Sequence, residues 1–230
     1  MKSRLLLIVF FTFLCFEDYS QTISAGGLRS FALNEGGKVV SWGNDNEHDY
    51  FLRGSGLKGV VEISAGKHHS LALKEDGTVV AWGRNTDGQL KVPSSLKGVV
   101  AIVAGAYHSI ALKEDGTVIA WGNNYSKQSR VPSWLKGVVA IEAGAYHSIA
   151  LKEDGTVVAW GYNSYGQCNV PNGLKGVVGI ASGFFHSLAL KEDGTVVAWG
   201  RKTDGQLKVP SSLKGVVEIS AGKHHSLALK

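Results

Sequence analysis

The chain has 230 residues, of which 44% are hydrophobic and 19% charged, with a formal net charge of +5. It is long enough to bury a sizeable core and too apolar to remain disordered, and so mild a charge excess does not by itself suggest a nucleic-acid groove. Thirty Gly against four Pro suit many tight turns between short strands, while two Cys exclude a disulfide framework or a metal site built from several thiolates.

The N-terminus has the order of a secretory signal. Lys2 and Arg4 precede the apolar run Leu5 to Phe16, and Glu17, Asp18, Tyr19 and Ser20 follow it. Residues 1–20 are expected to be a signal peptide cleaved near Ser20. A run of about twelve apolar residues is short for a bilayer span, so the mature protein is expected outside the cytoplasm, secreted or at the cell surface, with no membrane association. Cys15 lies within this segment, which leaves Cys168 alone in the mature chain.

Residues 21–230 form one repeat domain. The unit "HSLALKEDGTVVAWG" places its Trp at 42, 82, 121, 160 and 199 and its His at 69, 108, 147, 186 and 225, with Arg29 in the His position of the first unit. Within a unit, "VVEIS" (60–64), "HSLALK" (69–74) and "TVVAW" (78–82) read as short strands. Glu75-Asp76-Gly77 closes a hairpin between the last two. The connection "GQLKVPSSLKG" (88–98) contains Pro93 and allows at most a short edge strand near Leu90 to Val92. Each unit is therefore one antiparallel sheet of three or four strands, and no segment reads as a helix. A sheet of that size must stack on its neighbours, and a meander with one Trp per unit favours a β-propeller over a linear solenoid.

"ISAGKHHSLAL" (63–73) and "IASGFFHSLAL" (180–190), each followed by "KEDGTVVAWG", resemble the repeat of the regulator of chromosome condensation family, whose members form seven-bladed β-propellers. The resemblance extends over residues 22 to 230. Units of 39 residues with "VP" connections are similar to the short-repeat secreted bacterial branch that includes propeller-type beta-lactamase inhibitory proteins. The all-β fold expected is five complete blades and a partial sixth, which ends at Lys230 inside a hairpin. Because both ends carry the same first two strands, the expectation is a chain truncated from a longer, seven-bladed ring. A complete ring would be a monomer.

His, Ser and Asp recur together in successive hairpins, so they are expected to solve a problem every blade has rather than form a catalytic triad. His69, His108, His147, His186 and His225 are expected to hydrogen-bond backbone beside the axis. Trp42, Trp82, Trp121, Trp160 and Trp199 are expected to pack between blades. The position before the periodic His varies: Leu28, His68, Tyr107, Tyr146, Phe185 and His224. Equivalent positions of a propeller lie on one circle, so these side chains would ring one end of the channel. In the inhibitory branch, aromatics at this place resemble those that grip a partner enzyme, which nominates Tyr107, Tyr146 and Phe185, then His68 and His224. Tyr125 and Tyr165, in the loop after "WG", and Trp134, out of phase in "VPSWLKG", are further contact candidates.

No catalytic residue, metal or cofactor is expected. The acidic loop "GNDNEHDY" (43–50) lacks calcium-ligand spacing. The expected function is a secreted, non-enzymatic scaffold that binds a protein through one propeller face, with no nucleic-acid partner. Guanine nucleotide exchange or chromatin association, implied by the family founder, and a propeller-based lyase or hydrolase are the alternatives.

Overall fold

The computed structural model describes residues 23–34, 36–43 and 56–230. The expected signal segment 1–20 and the acidic residues 44–50 lie outside the described residues. Five units form three-stranded antiparallel sheets whose strands pair in chain order. They are β1 (Ile23–Gly26), β2 (Arg29–Leu33) and β3 (Val39–Gly43); β4 (Val60–Ala65), β5 (His69–Lys74) and β6 (Val79–Gly83); β7 (Val99–Ala104), β8 (His108–Lys113) and β9 (Val118–Gly122); β10 (Val138–Ala143), β11 (His147–Lys152) and β12 (Val157–Gly161); and β13 (Val177–Ser182), β14 (His186–Lys191) and β15 (Val196–Gly200). A two-stranded sheet of β16 (Glu218–Ala221) and β17 (Ser226–Leu229) completes the described chain. The edge strand anticipated at Leu90 to Val92 does not form. Turns occupy those residues, because Lys91 N bonds Gly88 O and Val92 N bonds Leu90 O, leaving no extended run to pair. Among the described residues there is no helix.

The hairpin between middle and outer strands is fixed by its own side chains. In the third sheet Asp115 Oδ1 accepts the Thr117 amide at 2.9 Å, and Gly116 takes φ 75°, which a non-glycine residue rarely adopts. The same Asp-to-Thr bond recurs in the second, fourth and fifth sheets.

The middle strands β5, β8, β11 and β14 are buried on both faces because each lies between two neighbouring sheets. On β8, Ile110 and Leu112 point toward the following sheet, where Val138, Ile141, Ala150 and Trp160 receive them. Ala111, with Trp121, turns the other way and packs on Leu71 and Leu73 of the preceding sheet. The same rule joins the first sheet to the second and the fourth to the fifth. A face of large aliphatics thus meets a face of small residues and one indole at each junction between the five three-stranded sheets, which makes the sheets blades of a propeller. Fully burying an aliphatic such as Ile110 contributes about 1.5–3 kcal/mol. Trp82, Trp121, Trp160 and Trp199 are 5–8% exposed, as expected, but Trp42 is 50% exposed. The expectation for Trp42 fails because no described sheet covers the face of the first blade that carries it. At the other end of the series Leu227 and Leu229 are exposed in the same way.

The periodic histidines have a different partner from the one anticipated. His69, His108, His147 and His186 are fully buried, and each Nε2 lies 2.9–3.2 Å from a serine Oγ of the next blade: Ser109, Ser148, Ser187 and Ser226. Each serine in turn donates to a backbone carbonyl of the preceding connection, at Gln89, Gln128, Gln167 or Gln206. Because the one hydroxyl proton is committed to that carbonyl, Nε2 must be the donor, which fixes the neutral Nε2–H tautomer. Trp121, Trp160 and Trp199 Nε1 donate to the same carbonyls as Ser109, Ser148 and Ser187. His225 departs from the expectation: it is exposed, since no described blade follows to offer it a serine. In the first blade Arg29 replaces the histidine and its guanidinium donates to Lys67 O in the second.

Inner strands are tied around the axis by side chains that cap amides of the next blade. Ser24 Oγ accepts Ala65 N, Ser64 Oγ accepts Ala104 N, and Glu62 Oε2 accepts Ile102 N. Val103 has no acceptor to offer the fourth blade, and there the Glu142 carboxyl takes the Ala143 amide. Burial pushes the carboxyls of both glutamates up to about 8, and their mutual proximity adds to the effect at Glu142.

Two predictions follow from these contacts. A Cβ on Gly144 would meet the His147 ring at 2.2 Å and Gly183 O at 2.6 Å, so Gly144→Ala is expected to lower unfolding free energy by about 2–3 kcal/mol, measured by denaturant titration. Burial holds His69, His108 and His147 near 3 and His186 near 4. Below pH 6.5 the unfolded chain therefore takes protons that the native one refuses, and stability falls with falling pH. Above pH 4.5 the unfolded chain loses protons that Glu62 and Glu142 retain until about 8, and stability falls with rising pH. Each group changes stability by about 1.4 kcal/mol per pH unit within its window. Four histidines outweigh two glutamates where the windows overlap, so the melting temperature should peak near pH 6.5. The double variant Glu62→Gln, Glu142→Gln should flatten the alkaline limb, and an unchanged alkaline limb would contradict this account.

Candidate functional site

Two sets of loops meet at one end of the propeller. The inner set joins the first strand of a blade to the second and carries the variable dipeptide before the periodic His. The outer set follows "WG" and is held against it: Arg84 N, Asn123 N, Tyr162 N and Arg201 N bond the carbonyls of His68, Tyr107, Tyr146 and Phe185. His68, Tyr107, Tyr146 and Phe185 are therefore each backed by an outer loop at a fixed distance. The outer loops are themselves rigid, because Gln89, Gln128, Gln167 and Gln206 are buried and their Oε1 atoms accept amides two residues back.

The variable residues form a continuous stack. Tyr107 and Tyr146 lie with ring centroids 4.9 Å apart at 18°, and Tyr146 and Phe185 follow at 6.3 Å and 21°. His68 extends the stack beyond Tyr107 at 5.4 Å, while Tyr165 packs edge-on against Phe185 at 5.3 Å. Five of the eight anticipated contact residues are thus brought together. His224 is not in the stack; its Nδ1 lies 3.3 Å from Asp204 Oδ2. Tyr125 projects alone from its outer loop, 93% exposed, and Trp134, 66% exposed, sits in the connection to the next blade with no ring beside it among the described contacts. Those two are not part of the assembled surface.

Tyr162 and Phe184 belong to this surface although sequence reasoning passed over them. Tyr162 contacts Tyr146, Phe185 and Tyr165. It directly follows "WG", in phase with Arg84, Asn123 and Arg201, and a comparison of variable positions there would have found it. Phe184 stands in phase with Lys67, Ala106, Ala145 and Lys223. It carries Lys67 and Lys223 Nζ over its ring at 5.6 and 5.5 Å.

Burial, with the hydrogen bond shared with Tyr107, pushes the Tyr146 phenol up to about 12. The bond shared with Tyr146, aided by Lys67, holds Tyr107 below its usual value. Burial and the neighbouring Lys67 and Arg84 lower His68. Inside the stack the channel mouth opens as a cavity of about 1060 Å³, lined by glycines and alanines of the inner loops together with Arg29, Lys67, Phe184 and Lys223.

The His–Ser pairs have no catalytic geometry. The histidines are fully buried, each serine proton is directed at a carbonyl, and the histidine Nδ1 atoms have no partner where a triad would place a carboxylate. Asp76 and its counterparts sit in turns at the far ends of the strands that begin with the histidines. Among the described residues no group of three His, Cys, Asp or Glu is placed to hold a metal ion.

No curated protein sequence matches the chain. Among solved structures, Prp20p from Saccharomyces cerevisiae, characterised together with its binding to Gsp1p and histones, is 25% identical with a TM-score of 0.74, over 90% of this chain and 69% of Prp20p. Human WBSCR16 is 21% identical (TM-score 0.70; 90% of this chain, 71% of that one). The ectodomain of the Physcomitrella patens receptor kinase CR4 is 24% identical (TM-score 0.66; 87% and 55%). At those identities the last two show a shared fold. The Regulator of chromosome condensation (RCC1) repeat matches residues 60–89, 99–128, 138–167 and 177–206, more than half of the chain. Those repeats coincide with the second to fifth blades and the loops that complete them, and on this agreement of sequence and architecture the chain belongs to the RCC1-repeat family of β-propellers.

Proposed function

We propose that the protein is a secreted, non-enzymatic scaffold that binds another protein through the aromatic end of the propeller. The observation that carries this reading is the stack of Tyr107, Tyr146 and Phe185, extended by His68, Tyr162 and Tyr165. These rings occupy positions that vary from unit to unit while the residues around them repeat, so the scaffold does not need them. Tyr and Phe supply large contact area at small entropic cost when their backbone and neighbours are already ordered. The order of residues 1–20 supports secretion. Gsp1p and histone binding is a property of Prp20p; a face carrying Lys67, Arg84, Arg201 and Lys223 is poorly suited to basic histones.

Capture experiments test the reading. With the tagged mature protein as bait in the producer's surroundings, the triple variant Tyr107→Ala, Tyr146→Ala, Phe185→Ala should retain at most about a tenth of the partner held by the native protein, with its circular dichroism unchanged. Equal capture by a folded triple variant removes the face from consideration. N-terminal sequencing of the product from the culture medium should begin near Gln21; a cytosolic product that keeps residues 1–20 contradicts secretion.

A further inference from the structure

The rings that make the face are arranged so that they offer little of their own π surface. Tyr107 is flanked by His68 and Tyr146, and Tyr146 by Tyr107 and Phe185. Their faces are covered by each other, and what remains for a partner is ring edge and hydroxyl. Ring edges carry the positive part of the aromatic quadrupole. The Tyr107 oxygen accepts from Lys67 Nζ at 3.4 Å, which sets the hydroxyl beside that ammonium group.

Cations lie over the remaining rings. Lys67, from the second blade, and Lys223, from the sixth, both reach the ring of Phe184 in the fifth, at 5.6 and 5.5 Å. Phe184 thereby holds two ammonium groups at the mouth of the channel cavity, and that of Lys67 also reaches the Tyr107 hydroxyl. Neither lysine has a carboxylate within ion-pair distance among the described residues. Arg201 covers Tyr165 and Phe185 at 5.4 and 5.8 Å. In the described loops of this end, Lys67, Arg84, Lys127, Arg201, Lys202 and Lys223 face only Asp87 and Asp204.

We propose that this end recognises an acidic protein segment, one of whose carboxylates enters the channel mouth between Lys67 and Lys223, near the Tyr107 hydroxyl. The inference rests on the protein-binding reading above and adds the chemistry of the partner. A single-stranded nucleic acid is also anionic, but it binds through bases stacked on free aromatic faces, and here the central faces are occupied. A neutral sugar stacked on an aromatic platform meets the same obstacle and gains nothing from the ammonium groups.

Fluorescence anisotropy with the mature protein tests this. The probe is a rhodamine-labelled decaglutamate peptide, compared with a labelled ten-residue oligothymidylate and a labelled maltohexaose. Decaglutamate should bind, and its affinity should fall at least about ten-fold when salt rises from about 0.05 to 0.5 M, because charge contacts at a surface are screened. The variant Lys67→Ala, Lys223→Ala should lose a similar factor. Tyr107→Phe, which keeps the stack and removes only the hydroxyl, should lose a few-fold. No binding of decaglutamate, equal binding by the double lysine variant, or tighter binding of oligothymidylate or maltohexaose overturns the proposal. Partner capture separates the two claims. Capture lost with the aromatic triple variant but kept by the double lysine variant overturns the acidic-segment proposal and leaves the face as the binding site. Capture kept by both refutes the face itself.

Discussion

From the second blade to the sixth sheet, each junction of this propeller depends on a neutral imidazole donating across a blade boundary. The histidine Nε2 proton goes to a serine of the next blade, and the serine proton goes to a glutamine carbonyl of the preceding connection. An indole converges on that carbonyl at the third to fifth blades. One motif therefore fixes three things at once: the spacing of two blades, the path of the connection, and the position of the Trp that fills the gap. The chain can build this only where Gly precedes it, because His147 lies where a Cβ of Gly144 would be. Burying four uncharged histidines and two glutamates with raised pKa values gives the scaffold a preferred proton state, and that state makes its stability depend on pH in both directions.

The scaffold's regularity is also what makes its exceptions meaningful. Residues within the His–Ser–Gln–Trp system repeat because each junction imposes the same geometry. Residues in the dipeptide before the histidine and the position after "WG" are released from that requirement, and on them the sequence places Tyr, Phe, Lys and Arg. Backbone bonds between inner and outer loops hold these side chains in register. A partner would meet a surface whose ordering entropy was already lost on folding, which favours binding through few residues.

Much of the fold was readable from the chain. The 39-residue period, the strand-length alternation and the "EDG" turns identify antiparallel sheets that must stack, and the recurring Trp marks their junctions. What the pattern did not disclose was the partner of each histidine. Recurrence shows that a residue has a structural task without naming the group it touches, and the serine lies 40 residues away in the next blade. Trp42 and His225 share the repeat pattern yet differ in burial, since a repeat residue is only as buried as the neighbour beside it. Tyr107, Tyr146 and Phe185 were legible as individual positions. Phe184 was not, because its contact with Lys67 spans blades that no spacing rule relates.

The sequence by itself determined the unit, its strands, its turns and the circle on which the variable residues lie, because those follow from local propensity and from a fixed period. Tertiary structure alone decided which ring faces are covered and which two lysines reach one phenylalanine. These depend on the angle and distance between blades, which arise from packing large aliphatics against small residues and an indole. The character of the aromatic end, edges and cations in place of open ring faces, is a property of that packing.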